Sequence, residues 1–189
     1  MIYNTIMDFA LIFKFLVKNL TLKKIDFALV GGFALQAVGI TRTTRDIDLL
    51  ILSKNSPTVK DLMLKHGYEL LHESEDALNF TGRKFELGRV DFLLAHRKYS
   101  VEMLKRAEEK PIFGGKYKIK VLKIEDQIGL KVQASSNDPE RLYQDIADIQ
   151  KLVKDNYSKL DMNLIREYFS LFDRGKELDG IIKEMKDVK

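Results

Sequence analysis

Cysteine is absent from the chain, which excludes disulfides and thiolate metal sites and makes a reducing compartment the natural setting. The three histidines, His66, His72 and His96, stand at no metal-ligand spacing, so a zinc site is not expected. Neither a G-x-G-x-x-G fingerprint nor a Walker lysine motif occurs. The one long apolar stretch, "MIYNTIMDFALIFKFLVKNL", carries Asp8, Lys14 and Lys18 and lacks a small-residue cleavage site, so it predicts neither a signal peptide nor a membrane span. The expected location is cytoplasmic. Internal repeats and low-complexity segments are missing too.

Apolar residues make up 45% of the 189, enough for a core without covalent staples. Lysine and arginine number 32 against 28 acidic residues, a net charge of +4 that permits an anionic ligand without requiring nucleic acid. Read as a helix, the N-terminal stretch puts Ile6, Phe9, Phe13, Leu16 and Leu20 on one side as a docking stripe. Leu11 and Phe15 fall on its polar side, where a helical protein partner could touch them.

"KIDFALVGG" then reads as a short buried strand ending at paired glycines, and "FALQAVGI" as a helix stopped near Gly39. "DIDLLIL" is a second strand. "SPTVKDLMLKHG" is a helix with Ser56 as N-cap, Pro57 in its first position and Gly67 closing it. "YELLHES", "DALNFTG" and "GRVDFLLA" predict three more strands, the last an interior one. "SVEMLKRAEEK" is expected as a helix ended by Pro111, and "KYKIKVLK" as a strand with one basic, solvated face. From Ile124 the period is helical, with helices expected near 124–135, 138–156, 161–172 and 175–187. The predicted organisation is a mixed α/β core over 1–122 and a helical region over 123–189 packed on it.

Two features carry chemistry. A strand, two glycines and a helix allow a phosphate to approach the backbone closely, although a plain tight turn leaves the same pattern. In "RDIDLLIL", Asp46 and Asp48 lie two residues apart and so project from one face of a strand. Adjacent carboxylates repel unless a cation lies between them, and hard divalent ions such as Mg2+ or Mn2+ take oxygen ligands. Asp91 likewise interrupts an apolar strand, where an unpaired charge is costly. Three such carboxylates on neighbouring strands beside a glycine turn form a constellation for metal-assisted phosphoryl or nucleotidyl transfer.

"VGGFALQAVGITRTTRDIDLLIL" resembles the nucleotidyltransferase fold of the DNA polymerase beta superfamily, with 13 residues between Gly32 and Asp46. Its sub-pattern, with "IGLKVQA" and "RLYQDIADIQKL" further on, looks most like the AbiEii type and related small bacterial nucleotidyltransferases. The resemblance implies an α+β fold, a mixed sheet flanked by helices with a helical region after it, and an NTP as substrate. It implies that Gly31 and Gly32 hold the β and γ phosphates, and that Asp46 and Asp48 bind two Mg2+ or Mn2+ ions. Asp91 would bind one of those ions and help deprotonate an acceptor hydroxyl. The acceptor could be a tRNA 3′ end, a protein or a small molecule, and the type favours a toxin–antitoxin or defence setting with an antitoxin as possible partner.

Helical geometry places two charges inside apolar arcs: Lys131 between Ala134 and Ile124, and Asp145 between Leu152 and Ile149. They form either a structural ion pair or a nucleotide contact, with Lys131 facing the triphosphate and Asp145 orienting it. Arg42 and Arg45 flank the aspartates and are candidates for clamping phosphates. His96, just past the Asp91 strand, is expected near the cleft. Two other functions compete with catalysis. One is a catalytically inactive binding or antitoxin module on the same fold. The other, a glycosyltransferase using D-x-D, fits the glycine pair and the third aspartate poorly.

Overall fold

The computed structural model describes residues 8–187. The chain divides into two compact units, Met1–Leu122 and Lys123–Lys189. The first carries strands β1 (Phe27–Val30), β2 (Asp46–Leu52), β3 (Tyr68–Glu73), β4 (Ala77–Gly82), β5 (Arg89–Ala95), β6 (Glu108–Ile112) and β7 (Tyr117–Val121). Its helices are α1 (Phe9–Leu22), α2 (Gly31–Ala37), α3 (Ser56–Lys65) and α4 (Lys98–Lys105). The strands form one mixed sheet in the order β3-β4-β5-β2-β1-β7-β6. The pair β2–β5 is parallel, and β1 runs antiparallel to β2.

Strand alternation sorts the side chains between the two faces. Ile47, Leu49 and Ile51 of β2, Leu78 and Phe80 of β4, and Val90, Phe92 and Leu94 of β5 enter one apolar cluster. Ile12, Phe13, Leu16 and Leu20 of α1 join them, with Val59, Leu62 and Met63 of α3. Asp46, Asp48 and Asp91 therefore stand on the opposite face of the sheet. The burial that fixes the strand register is also what presents the three carboxylates together.

The N-terminal helix begins at an Asp8 cap, whose carboxylate accepts the Leu11 N–H at 3.0 Å. Phe9, Phe13, Leu16 and Leu20 form the expected stripe, and Ile6 lies outside the described residues. Leu11 is exposed, but Phe15 is not the outward residue its wheel position predicts. It packs on the core, its ring 4.9 Å from that of His66 and 6.3 Å from that of Tyr68. Those two residues, at the end of α3 and the start of β3, widen the apolar arc around α1.

Two local expectations are corrected. Ser56 opens α3 from within, because a tight turn over residues 53–55 precedes it and Asn55 takes the cap position. The helix expected to run to Pro111 stops at Lys105, and Glu108–Ile112 is an edge strand paired with β7. Proline is tolerated there because an edge strand need not donate every N–H. Glu109 stands opposite Lys120 in register, and the Lys120 ammonium donates to Asp26 at 2.6 Å. The hairpin turns through Phe113, Gly114 and Gly115 at φ of 50, 65 and 87°.

The second unit comprises α5 (Ile124–Asn137), α6 (Leu142–Asn156), α7 (Met162–Ser170) and α8 (Gly175–Asp187). Ile128, Val132, Ile149, Leu152, Val153, Ile165, Phe169 and Leu178 are buried in it. Gly129 lets α5 and α7 approach closely, since a Cβ there would lie 2.7 Å from the Tyr168 ring. The Tyr168 hydroxyl donates to buried Asp126 at 2.6 Å, so that carboxylate is satisfied inside the helices.

Candidate functional site

The site begins where β1 ends. Gly31 follows Val30 at φ +65°, a left-handed conformation that side chains other than glycine's rarely adopt. A Cβ at Gly31 would lie 2.1 Å from Asp48 Oδ2, so the backbone passes against the carboxylate itself. At Gly32 a Cβ would lie 2.5 Å from the Cβ of Thr44. Both glycines of the pair are thus demanded by contact, beyond what a turn would need.

Register then aligns the acids. Asp48 on β2 sits opposite Asp91 on β5, and Asp46 opposite Arg89. Val30 flanks Asp48 on β1, and Asn79 on β4 flanks Asp91. One row therefore crosses four strands: Val30, Asp48, Asp91, Asn79. Asp46, Asp48 and Asp91 are half-buried, and each offers a carboxylate oxygen within 4.8 Å of the others.

Asp91 lies between Asp48 and Asn79 in the sheet. Burial pushes its carboxyl above the ordinary carboxylate range, and the charge of Asp46 adds to this. Hydrogen bonds from the Asn79 side chain and the Phe80 backbone oppose the rise, as does the nearby Arg89 charge. The Arg89 guanidinium reaches only to 4.0 Å of Oδ2. Oδ1 is buried with no hydrogen-bond partner among the described residues. A carboxylate with one buried oxygen left without a donor, grouped with two more carboxylates, is a donor set that fits a hard divalent cation.

Asn79 and Thr44 went unflagged by the sequence. Asn79 sits at the period-two position of "ALNFTG" that shares the face of Asp91, but its partner emerges only with the β4–β5 register. Thr44 bonds Asp46 from the loop before β2, its Oγ1 lying 3.1 Å from both Asp46 O and Asp46 Oδ1. Arg42 is half-buried in the same loop, its carbonyl accepting from Gln36 Nε2 at 2.6 Å, and Arg45 is exposed.

His96 does not belong to this site. The triad lies toward the N-terminal ends of β2 and β5, whereas His96 follows the C-terminal end of β5. It lies five positions beyond Asp91, roughly 16 Å at strand rise. Its ring instead bonds Asp76 at 2.8 Å and faces Glu75 at 3.4 Å. Within the second unit, Lys131 Nζ lies 2.8 Å from Asp145 Oδ1 and 2.5 Å from Asp148 Oδ2. Both inward charges point where the helical pattern puts them, and Asp148 joins the pair.

Residues 10–187 match the family described as nucleotidyl transferase of unknown function (DUF2204). The chain belongs to that family. No curated protein matches it. Among solved structures, this family member is similar to the antibiotic-resistance factor ANT(2'')-Ia, at 13% identity and a TM-score of 0.62 over 92% of this chain and 96% of that one. It is also similar to the lincosamide antibiotic adenylyltransferase LnuA, at 16% identity and a TM-score of 0.53 over 77% of this chain and 96% of that one. A third is an antigenic nucleotidyltransferase-like protein from Paracoccidioides brasiliensis, at 17% identity and a TM-score of 0.53 over 89% and 88% of the two chains. At these identities the likeness establishes the nucleotidyltransferase fold. No helix among the described residues of this family member is long and apolar enough to cross a membrane.

Proposed function

We propose that the protein transfers a nucleoside monophosphate from an NTP to an acceptor hydroxyl, using divalent metal held by Asp46, Asp48 and Asp91. The observation that carries this reading is the row formed by Asp48 and Asp91, with Asp46 beside it and one Asp91 oxygen buried without a donor. Mg2+ or Mn2+ bound there would neutralise charge on the phosphates and acidify the acceptor hydroxyl. Asp46 and Asp48 would hold both ions and Asp91 one of them.

The chain's own groups do the rest. The acceptor oxygen bonds to the α-phosphorus as the bond to pyrophosphate breaks, and Asp91 helps take the hydroxyl proton. Gly31 and Gly32 bring backbone N–H groups to the β and γ phosphates, since no side chain intervenes. Arg42 and Arg45 are proposed to clamp the phosphates, and Lys131, oriented by Asp145, to meet the nucleotide as well. Most of the rate then comes from positioning and charge compensation.

The AbiEii-type pattern supports a toxin–antitoxin or defence role in the cytoplasm, with an antitoxin or other helical protein as partner. The acceptor classes are an RNA 3′ end, a protein side chain and a small molecule. ANT(2'')-Ia has been seen with adenylyl-2''-tobramycin and LnuA with lincomycin, so hydroxylated antibiotics belong among the small molecules tried. The test supplies each α-labelled NTP with Mg2+ and, in parallel, total RNA, total protein, aminoglycosides or lincosamides. Label transferred to one class, and lost in Asp46→Asn, supports the reading. An absence of NTP binding in calorimetry with Mg2+ present would sink it.

A further inference from the structure

We propose that Thr44 is a positioning residue that fixes the Asp46 carboxylate and so sets the site's affinity for divalent metal. This rests on the proposed function and deepens it. Asp46 is the first residue of β2 and follows an irregular loop, so backbone pairing restrains it only from one side. The Thr44 hydroxyl lies 3.1 Å from both its carbonyl oxygen and its Oδ1. One proton serving two acceptors of the same residue ties the side chain to its own backbone.

The choice of donor matters. An arginine or lysine in this place would hold the carboxylate as firmly but cancel the charge a cation needs. A neutral hydroxyl removes the rotation about Cβ–Cγ and leaves the negative charge intact.

The placement of Thr44 is itself built in. Its Cβ and Oγ1 would lie 2.5 and 2.7 Å from a Cβ at Gly32, so the second glycine exists partly to seat this threonine. One side chain thus links the glycine turn to the first carboxylate. An ordinary loop threonine would need neither contact.

The test measures Mn2+ binding by electron paramagnetic resonance of unbound Mn2+, with thermal melting alongside, on Thr44→Val, Thr44→Ser and Asp46→Asn. Thr44→Val keeps the shape and loses the hydroxyl, and Mn2+ binding should weaken roughly ten- to a hundred-fold, as for other groups that orient a ligand. Thr44→Ser keeps the hydroxyl and should bind Mn2+ close to the parent level. Should Thr44→Val fail to fold, Thr44→Ala removes the same hydroxyl without a methyl against the carboxylate. Binding by Thr44→Val or Thr44→Ala equal to the parent overturns the inference, and so does Thr44→Ser binding as weakly as Thr44→Val. If the unmodified protein binds Mn2+ no better than Asp46→Asn, the proposed function falls and this inference with it.

Discussion

Gly31 and Asp48 touch so closely that a single methyl group on the glycine would lie 2.1 Å from the carboxylate oxygen. Gly31→Ala must therefore move Asp48, and it must also bear a left-handed φ of +65°, costing about 1–2 kcal/mol. Transfer activity should fall on the order of a hundred-fold or more, since a displacement of about 1 Å at a positioning group has that effect. Gly39→Ala is the control. Its φ is +90° but a Cβ there meets nothing within 4 Å. It should lower the melting temperature while activity per folded molecule stays close to the parent. Equal activity losses in both variants would show that backbone strain, and not the contact with Asp48, is what matters.

Asp91 carries a cost in the metal-free protein that the proposed ligand role would explain. Burial raises its carboxyl, so the folded state holds the proton more tightly than the unfolded chain does. The ionised form therefore destabilises the fold at neutral pH, and the penalty is relieved as pH falls through the raised value. Asp91→Asn should melt higher than the parent at pH 7 without divalent metal, and the gap should close at acidic pH. Added Mn2+ should raise the parent's melting temperature more than that of Asp91→Asn, which keeps Asp46 and Asp48 as ligands. A parent more stable than Asp91→Asn in the metal-free state at pH 7 would contradict this.

Tyr68 offers a second titration with the opposite practical consequence. Its ring is buried and its hydroxyl donates to the Leu87 carbonyl at 2.9 Å, and burial pushes its pKa up from 10.0 to about 12. A phenol harder to ionise in the folded state contributes stability that is complete below pH 10 and lost as pH rises towards 12. Ultraviolet titration should find a component near the upper limit that is lost in Tyr68→Phe. That variant should lose about 1 kcal/mol at neutral pH by stranding the Leu87 carbonyl.

The parts of this molecule legible in the sequence are those where period and polarity conflict. Asp46, Asp48 and Asp91 announce themselves because each places a charge in a strand otherwise apolar, and Lys131 and Asp145 because helical spacing turns them inward. What the sequence hides is set by long-range register or by loop geometry. Asn79 matters only because β4 pairs with β5 so that it meets Asp91. Thr44 matters through a bond within an irregular loop, which has no period to read. Strand β6 was disguised by its charges and Pro111, which suit an edge that no neighbour covers. Phe15 reads as outward because wheel arithmetic knows one helix and not the residues beside it.

Lys131 is where the two readings of an inward charge separate. Its ammonium serves Asp145 and Asp148, both largely buried, so Lys131→Met takes a cation from each and leaves Asp145 with the exposed Arg141 guanidinium at 3.5 Å. Removing one partner of a buried ion pair costs about 3–5 kcal/mol, and the melting temperature should fall accordingly. Lys131→Met with Asp145→Leu should recover part of that loss, because the more deeply buried carboxylate goes with its cation. Stability alone cannot distinguish a brace from a ligand, whereas nucleotide affinity per folded molecule can. If Lys131 meets the nucleotide, calorimetry on the folded single variant should give NTP binding weaker by roughly ten-fold, the worth of one charge-assisted hydrogen bond. NTP binding unchanged beside a lowered melting temperature would make Lys131 a brace between α5 and α6 and nothing more, leaving Arg42 and Arg45 as the phosphate cations.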